Sequence, residues 1–337
     1  MGFIKQLLLL FPVLSFCLCN FCVSASPPLP FESTPLYYAD HFFVRPSSNI
    51  LSKYTLNGQR VWDIDIHPRT DVKIAFNHLF LCSPQQYLRA YHTDTGDALF
   101  LPEKAKIDSF VLQYPYIFYW QKNTVGCLDF LTGHHLWTKE LTLPIKELIS
   151  FNQQGLLGVR YQKNRLSFLN VLDGSDKGSC EWSKKLKVLS VWNSAALLTK
   201  KDRLMRFDIA SKVLDPISLP QHGPFVISQR YHYIYYDPLK SHLRSFNVDN
   251  STEDWTLPVA SVVKKMLIEK NLILCQFEQN ILLIDAYKGT ILHTLAASSI
   301  HDSLAGFTVS QGRLYLFSDT RLLPSILLIP SSYEKES

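Results

Sequence analysis

Short runs of apolar or alternating residues, separated by polar turns, follow one another along most of the chain. Residues 71–101 show the unit. Asp71 to Phe76 is a strand pattern, and Asn77-His78 turns it. Leu79 to Cys82 is a second apolar strand, broken by Pro84, and Tyr87 to His92 alternates as a third. Thr93-Asp94-Thr95-Gly96 turns the chain again, and Ala98 to Leu101 is a fourth strand. Four short strands with evenly spaced turns predict one antiparallel sheet. The next unit reads Ile107–Phe110, Tyr116–Trp120, Gly126–Phe130 and Leu136–Leu141. No helical period persists and no strand–helix alternation occurs, so the predicted class is all-β.

Later third strands run Leu166–Val171, Leu204–Ile209, Leu243–Val248 and Ile281–Ala286. Near each turn stands an acid or amide: Asp94, Asp129, Asn170, Asp208, Asn247 and Asp285. Such side chains bond nearby backbone N–H groups and hold the turn, a role that needs no catalysis.

The turns carry a repeated sentence, a small residue followed four positions later by an aromatic or its stand-in. Gly58 leads to Trp62, Gly96 to Phe100, Gly133 to Trp137 and Gly178 to Trp182. Ser211 leads to Asp215, Ser251 to Trp255 and Gly289 to His293. The steps between anchors are 38, 37, 45, 33, 40 and 38 residues. Self-similarity at that period means a repeat architecture. A single small sheet cannot bury both faces, whereas radial stacking buries them and leaves short edges, which predicts a β-propeller with the aromatic wedged between neighbouring sheets. The expectation is eight blades of four-stranded antiparallel sheets, with seven as the alternative. Residues 304–330 supply three further strands, and the arm Pro28 to Tyr38 is expected to add the missing one and close the ring.

The first 25 residues are of another kind. Lys5 is their only charge, an apolar run extends from Leu7 to Cys19, and Val23-Ser24-Ala25 fits small-residue cleavage. This reads as a secretory signal peptide, with an uncleaved or lipidated N-terminus as alternatives. The expected organisation is 1–25 signal peptide, 26–332 propeller and 333–337 polar tail, and the expected location is the periplasm or cell envelope. Removing residues 1–25 leaves 33 basic and 29 acidic side chains, a charge of +4. The pairs Lys184-Lys185, Lys200-Lys201 and Lys264-Lys265 read as solvated edges, and no basic stripe with interleaved aromatics points to nucleic acid. Cys82, Cys127, Cys180 and Cys275 remain, one in each of four repeats, and read as buried free thiols with no Cys-x-x-Cys spacing for zinc or redox chemistry.

Segments such as Cys127-Leu128-Asp129-Phe130-Leu131-Thr132-Gly133-His134-His135-Leu136-Trp137 and Leu282-Leu283-Ile284-Asp285-Ala286-Tyr287-Lys288-Gly289 resemble the pyrroloquinoline-quinone-type propeller repeat. The resemblance covers nearly the whole chain after residue 25 and weakens in the fifth repeat, where Asp215 replaces Trp. One branch of that family comprises quinone-dependent dehydrogenases. The other, similar in size to this chain, includes BamB-like outer-membrane assembly factors. The resemblance implies a non-catalytic scaffold for protein partners, among them the β-barrel assembly machinery, with membrane association through the partner or the N-terminus.

An enzyme of the first branch needs a quinone clamp, a metal and a base. No adjacent cysteines follow residue 25, and no calcium-loop spacing occurs. Asp63 and Asp65 read as solvent-facing residues of an outer strand, and the neighbours His134 and His135 point to opposite faces. Tyr231 to Tyr236 reads as an aromatic strand between blades. Asp173 to Gly178 reads as an inserted turn. No catalytic residue, cofactor or metal ligand is expected; a quinone-dependent redox enzyme and a surface or host-directed interaction protein remain as alternatives.

Overall fold

The computed structural model describes residues 36–38, 40–83, 87–100, 107–151, 154–183, 185–191, 195–200, 203–217, 224–228, 232–250, 252–296, 304–310, 313–318, 323 and 326–327. Those residues form β-sheets and turns, with no α-helix. The expected signal peptide and polar tail lie outside them.

Each sheet is an antiparallel meander in chain order. Blade 1 is β1 (Leu36–Tyr38), β2 (His41–Ser47), β3 (Ile50–Thr55) and β4 (Arg60–Asp65). Blade 2 is β5 (Asp71–Ala75), β6 (His78–Cys82), β7 (Leu88–His92) and β8 (Ala98–Phe100). Blade 3 is β9 (Ser109–Gln113), β10 (Tyr116–Gln121), β11 (Thr124–Asp129) and β12 (His135–Glu140). Blade 4 is β13 (Ile145–Phe151), β14 (Leu156–Tyr161), β15 (Arg165–Asn170) and β16 (Asp176–Glu181). Blade 5 is β17 (Leu186–Val191), β18 (Ala195–Lys200), β19 (Arg203–Asp208) and β20 (Leu214–Ile217). Blade 6 is β21 (Phe225–Ile227), β22 (His232–Asp237), β23 (His242–Asn247) and β24 (Thr252–Pro258). Blade 7 is β25 (Lys265–Glu269), β26 (Leu272–Gln276), β27 (Asn280–Asp285) and β28 (Ile291–Ala296). A last sheet holds β29 (Leu304–Ser310), β30 (Arg313–Ser318) and β31 (Ile326–Leu327).

Seven blades are therefore four-stranded, and the last sheet has three strands among the described residues. This corrects the expected eight complete blades. Of the arm, Leu36 to Tyr38 pairs with Phe43 to His41 as the first strand of blade 1, and residues 28–35 lie outside the described residues. That pairing is local, because a segment two residues from β2 closes a hairpin at far less entropic cost than a strand pairing across the ring. Among the described residues, side chains join the last sheet to blade 1. Phe42, Val44, Tyr54 and Leu56 of blade 1 form one core cluster with Tyr315 and Phe317 of the last sheet, and the Phe42 and Phe317 rings meet edge-on at 5.5 Å.

The remaining core lies between consecutive sheets in the same way. Leu79 and Leu81 of blade 2 pack against Phe43 and Leu51 of blade 1. Phe80, from the opposite side of the same strand, joins Phe110, Ile117 and Phe130 of blade 3. The strand period of two thus sends alternate residues to the two neighbouring blades, which makes the middle strands apolar on both faces. The aromatic strand β22 obeys this. Tyr233 and Tyr235 face blade 5. Ile234 and Tyr236 face blade 7. Tyr231 lies outside the described residues. Asp63 and Asp65 are exposed on the fourth strand, where Asp63 pairs with Arg60 at 3.0 Å.

The four cysteines are unpaired, three of them buried and Cys180 half-buried. Burial pushes the thiol of Cys82 up to about 11 and that of Cys127 up to about 12. Thiolate is the reactive form. At pH 8, Cys180 is expected to react first with a thiol reagent, and the other three only at the rate of unfolding; mass mapping of a labelling time course checks this.

Candidate functional site

In a meander, the first-to-second and third-to-fourth strand turns leave one end of the sheet, and the second-to-third turns and inter-blade connections leave the other. The ring therefore has two faces, and the repeat motif builds the first of them.

The glycine of each motif sits in the third turn of its blade, beneath the aromatic of the blade before. Trp62 lies over Gly96, Phe100 over Gly133 and Trp255 over Gly289. The indole Nε1 then donates across the gap, from Trp62 to Thr93 O at 3.1 Å and from Trp255 to Ala286 O at 3.0 Å. Trp137 does the same toward Val171 O at 3.0 Å, but the glycine beneath it is Gly174. Gly174, with φ +68° and its N–H on Asn170 O at 2.9 Å, holds the position that Gly133 holds with φ +69° and its N–H on Asp129 O at 3.0 Å. Gly178, the expected anchor, instead lies on β16 beside the Lys212 ammonium. Trp182 follows β16 and is 2% exposed in the core between blades 4 and 5, with Phe207 at 5.2 Å. Asp173 to Gly178 is thus the regular turn plus the start of a strand and not an insertion. Gly58 also has positive φ.

The turn acids behave as their chemistry requires. Asp129 accepts from Leu131 and Thr132 N–H at 3.1 and 2.8 Å, Asn170 from Leu172 N–H at 2.9 Å and Asp285 from Tyr287 N–H at 2.8 Å. The Thr132 hydroxyl and N–H hold the Asp129 carboxyl below the usual carboxylate range. Asp94 is the exception: His92 occupies its expected place in the turn, and Asp94 reaches the buried Lys53 of blade 1 at 3.5 Å.

On this face an exposed aromatic pair stands out from the turns. The first turn of blade 2 is Phe76-Asn77, closed by the Ala75–His78 pair, one residue earlier than the sequence pattern suggested. Both turn residues have positive φ, 48° and 60°. Asn tolerates that region readily; Phe does not, because its Cβ crowds the backbone. Phe76 is nonetheless 58% exposed there and meets Tyr114, 53% exposed in the equivalent turn of blade 3, at 4.7 Å. Both rings rest edge-on against the buried Phe130, at 5.7 and 5.5 Å, and His78 adds a third edge contact at 5.3 Å. Leu131 and Leu172 are exposed at matching positions in the third turns of blades 3 and 4, on the same face. Exposed aromatics of this kind have the chemistry that is enriched in protein interfaces.

Other clusters are tied into the frame. A cleft of about 490 Å³ opens between first strands, lined by Leu36, Val72, Ile74, Val111 and Leu112. Its Lys73 is held by Asp71 at 3.5 Å, by the Phe110 carbonyl and over the Phe110 ring at 4.3 Å. Ser245, His232 and Asp254 lie close together, but the hydroxyl and the carboxylate both approach the same ring nitrogen, Nδ1, at 3.4 and 3.3 Å. A relay needs the two nitrogens used separately, and Ser245 is fully buried. His135 Nε2 is occupied by Tyr119 Oη at 3.0 Å and Thr138 Oγ1 at 2.6 Å. Among the described residues, no three His, Cys, Asp or Glu side chains converge.

No family model and no curated protein matches the chain. Its structure is similar to that of BamB from Moraxella catarrhalis, with a TM-score of 0.52 and 12% identity, covering 88% of this chain and 98% of that one. It is also similar to the computationally designed Ika8 protein, with a TM-score of 0.60 and 11% identity, covering 89% and 100%. The chain has a BamB-like propeller fold. At these identities the likeness is one of fold, and it speaks to neither activity nor partner.

Proposed function

We propose that this protein is an exported, non-catalytic propeller scaffold that holds a protein partner on the face carrying Phe76 and Tyr114. The observation that carries the reading is the Phe76 ring, kept exposed in a backbone conformation that costs a bulky residue about 1–2 kcal/mol. The ring's contacts with Tyr114 and Phe130 are worth about as much as the strain, and they leave more than half of the residue exposed, ready to enter a partner's pocket. The apolar N-terminal run supports export. The fold likeness to BamB and the repeat resemblance support the finer reading, a BamB-like accessory factor that contacts the β-barrel assembly machinery of the outer membrane.

Co-purification of the tagged full-length chain with the β-barrel assembly protein from its own envelope tests this. Recovery above a background set by a propeller-free control is expected. Loss of that recovery with Tyr114→Ser, in a chain that still melts like the parent, places the contact on this face. Equal recovery by parent and control contradicts the assembly role.

A further inference from the structure

The second face has a different chemistry, and the described members of the three lysine pairs, Lys185, Lys200, Lys264 and Lys265, fall on it. Lys163 and Arg165 flank the second-to-third turn of blade 4, Lys185 stands on the connection into blade 5 and Lys187 at the start of β17, and Lys200 and Arg203 flank the second-to-third turn of blade 5. All six are exposed, and among the described residues none has an acidic partner within ion-pair distance. Strand register gathers those of blade 5: Lys200 pairs with both Leu186 and Arg203, and Lys187 pairs with Thr199. Asp202, in the Lys200–Arg203 turn, lies outside the described residues, and among those described the acids nearby are few. Glu147 is bound to Arg160 at 2.8 Å, and Glu181 lies opposite Arg165 in register.

Beside this patch, the same face carries its most exposed apolar side chain. Leu239, 94% exposed, is at the tip of the β22–β23 turn and is followed by Lys240. The loop is held in place by the buried Asp237, whose carboxylate accepts the Leu239 N–H at 3.1 Å and meets Arg244 at 3.4 Å. Val262, 66% exposed and followed by Lys264, lies on the next connection, which is fastened to the Leu239 loop by Val259 N–H on Ser241 O at 2.9 Å. Lys264 is shared with Glu278 at 3.5 Å.

We infer that this face docks on an anionic lipid bilayer, with Leu239 and Val262 entering the headgroup region and the cations of blades 4 and 5 lying over the lipid charges. Protruding aliphatic tips beside unpaired cations suit a bilayer, whose binding combines apolar insertion with electrostatic attraction. An acidic protein would use the cations alone, and nucleic acid would call for exposed aromatics among them. A bilayer on this side leaves the aromatic face free.

Flotation of the full-length chain with vesicles tests this apart from any protein partner. Phosphatidylglycerol–phosphatidylethanolamine vesicles are the probe, and phosphatidylcholine vesicles measure what the N-terminal stretch contributes by itself. Each cation near an anionic surface is worth about fivefold in partitioning, so Lys200→Ala with Arg203→Ala lowers binding to the anionic vesicles about 25-fold. Leu239→Ser lowers it by roughly tenfold. Lys288→Ala, on the opposite face, leaves it unchanged, and all variants melt like the parent. Equal binding to both vesicle types overturns the proposal, as does an equal loss in Lys288→Ala. Binding to soluble polyglutamate that matches the vesicles and ignores Leu239→Ser overturns it in favour of an acidic protein.

Discussion

Gly133→Ala destabilises the ring by about 2–4 kcal/mol. Two costs add at this residue. Its φ of +69° strains any side chain by about 1 kcal/mol. A Cβ there would also stand 2.4 Å from the Phe100 ring of the preceding blade, and forcing an added methyl into a packed contact costs about 1–3 kcal/mol. Gly155 separates the two: its φ is +59°, but the nearest atom to its Cβ would be Val171 Cγ2 at 4.0 Å. Gly155→Ala is expected to lose only about 1 kcal/mol. Urea unfolding of both variants gives the difference, and Phe100→Ala completes a cycle with Gly133→Ala. A shortfall well below the sum of the single losses means that ring and glycine act as a pair. Additive losses, or equal losses at 133 and 155, mean that the blades are not joined through this contact.

Phe76→Asn separates binding from stability in the opposite way. Asn is at home in a turn with two positive-φ residues, so the substitution relieves about 1–2 kcal/mol of strain. It also removes a ring pair worth about 0.5–1.5 kcal/mol. The net change in stability is near zero or favourable. Partner binding, by contrast, falls about 30-fold or more, the scale for a central aromatic contact of about 2 kcal/mol or above. Phe76→Asn combined with Tyr114→Ser removes binding to below detection while the melting temperature stays within a few degrees. A melting temperature that falls steeply in Phe76→Asn identifies the ring as part of the core. Unchanged partner affinity places the interface elsewhere.

Much of the architecture was legible because the interaction that stacks the blades is written in spaced pairs such as Gly96–Phe100 and Gly133–Trp137. Each glycine and aromatic belongs to a different inter-blade contact, yet the period displays both. The fourth repeat misled for a physical reason. Gly178 and Trp182 have the right spacing on the wrong part of the strand, while the turn glycine is Gly174, whose partner four residues on is Gly178 itself. Taking Gly174 as the anchor turns the irregular steps of 45 and 33 into 41 and 37. At the ring's seam, apolar patterning cannot say which edge a terminal segment chooses, and Leu36 to Tyr38 takes the edge of β2. The aromatic pair was hidden because Phe76 and Tyr114 are far apart in sequence, Phe76 reads as the end of an apolar strand and Tyr114 falls between two strand patterns; a bulky residue before Asn at a two-residue turn was the available signal. The basic face was equally hidden, since its cations are scattered along the chain and only the alternation of the meander gathers them on one side.

The central claim is that a protein partner sits on the Phe76 face, and in-cell photo-cross-linking tests it most directly. A photoreactive phenylalanine analogue is placed at position 114 in one strain and at position 239 in another, and adducts are read by mass spectrometry. The account predicts an adduct with the β-barrel assembly protein from position 114 and none from position 239. An adduct from 239 alone, or none from 114 with the protein folded and exported, contradicts it.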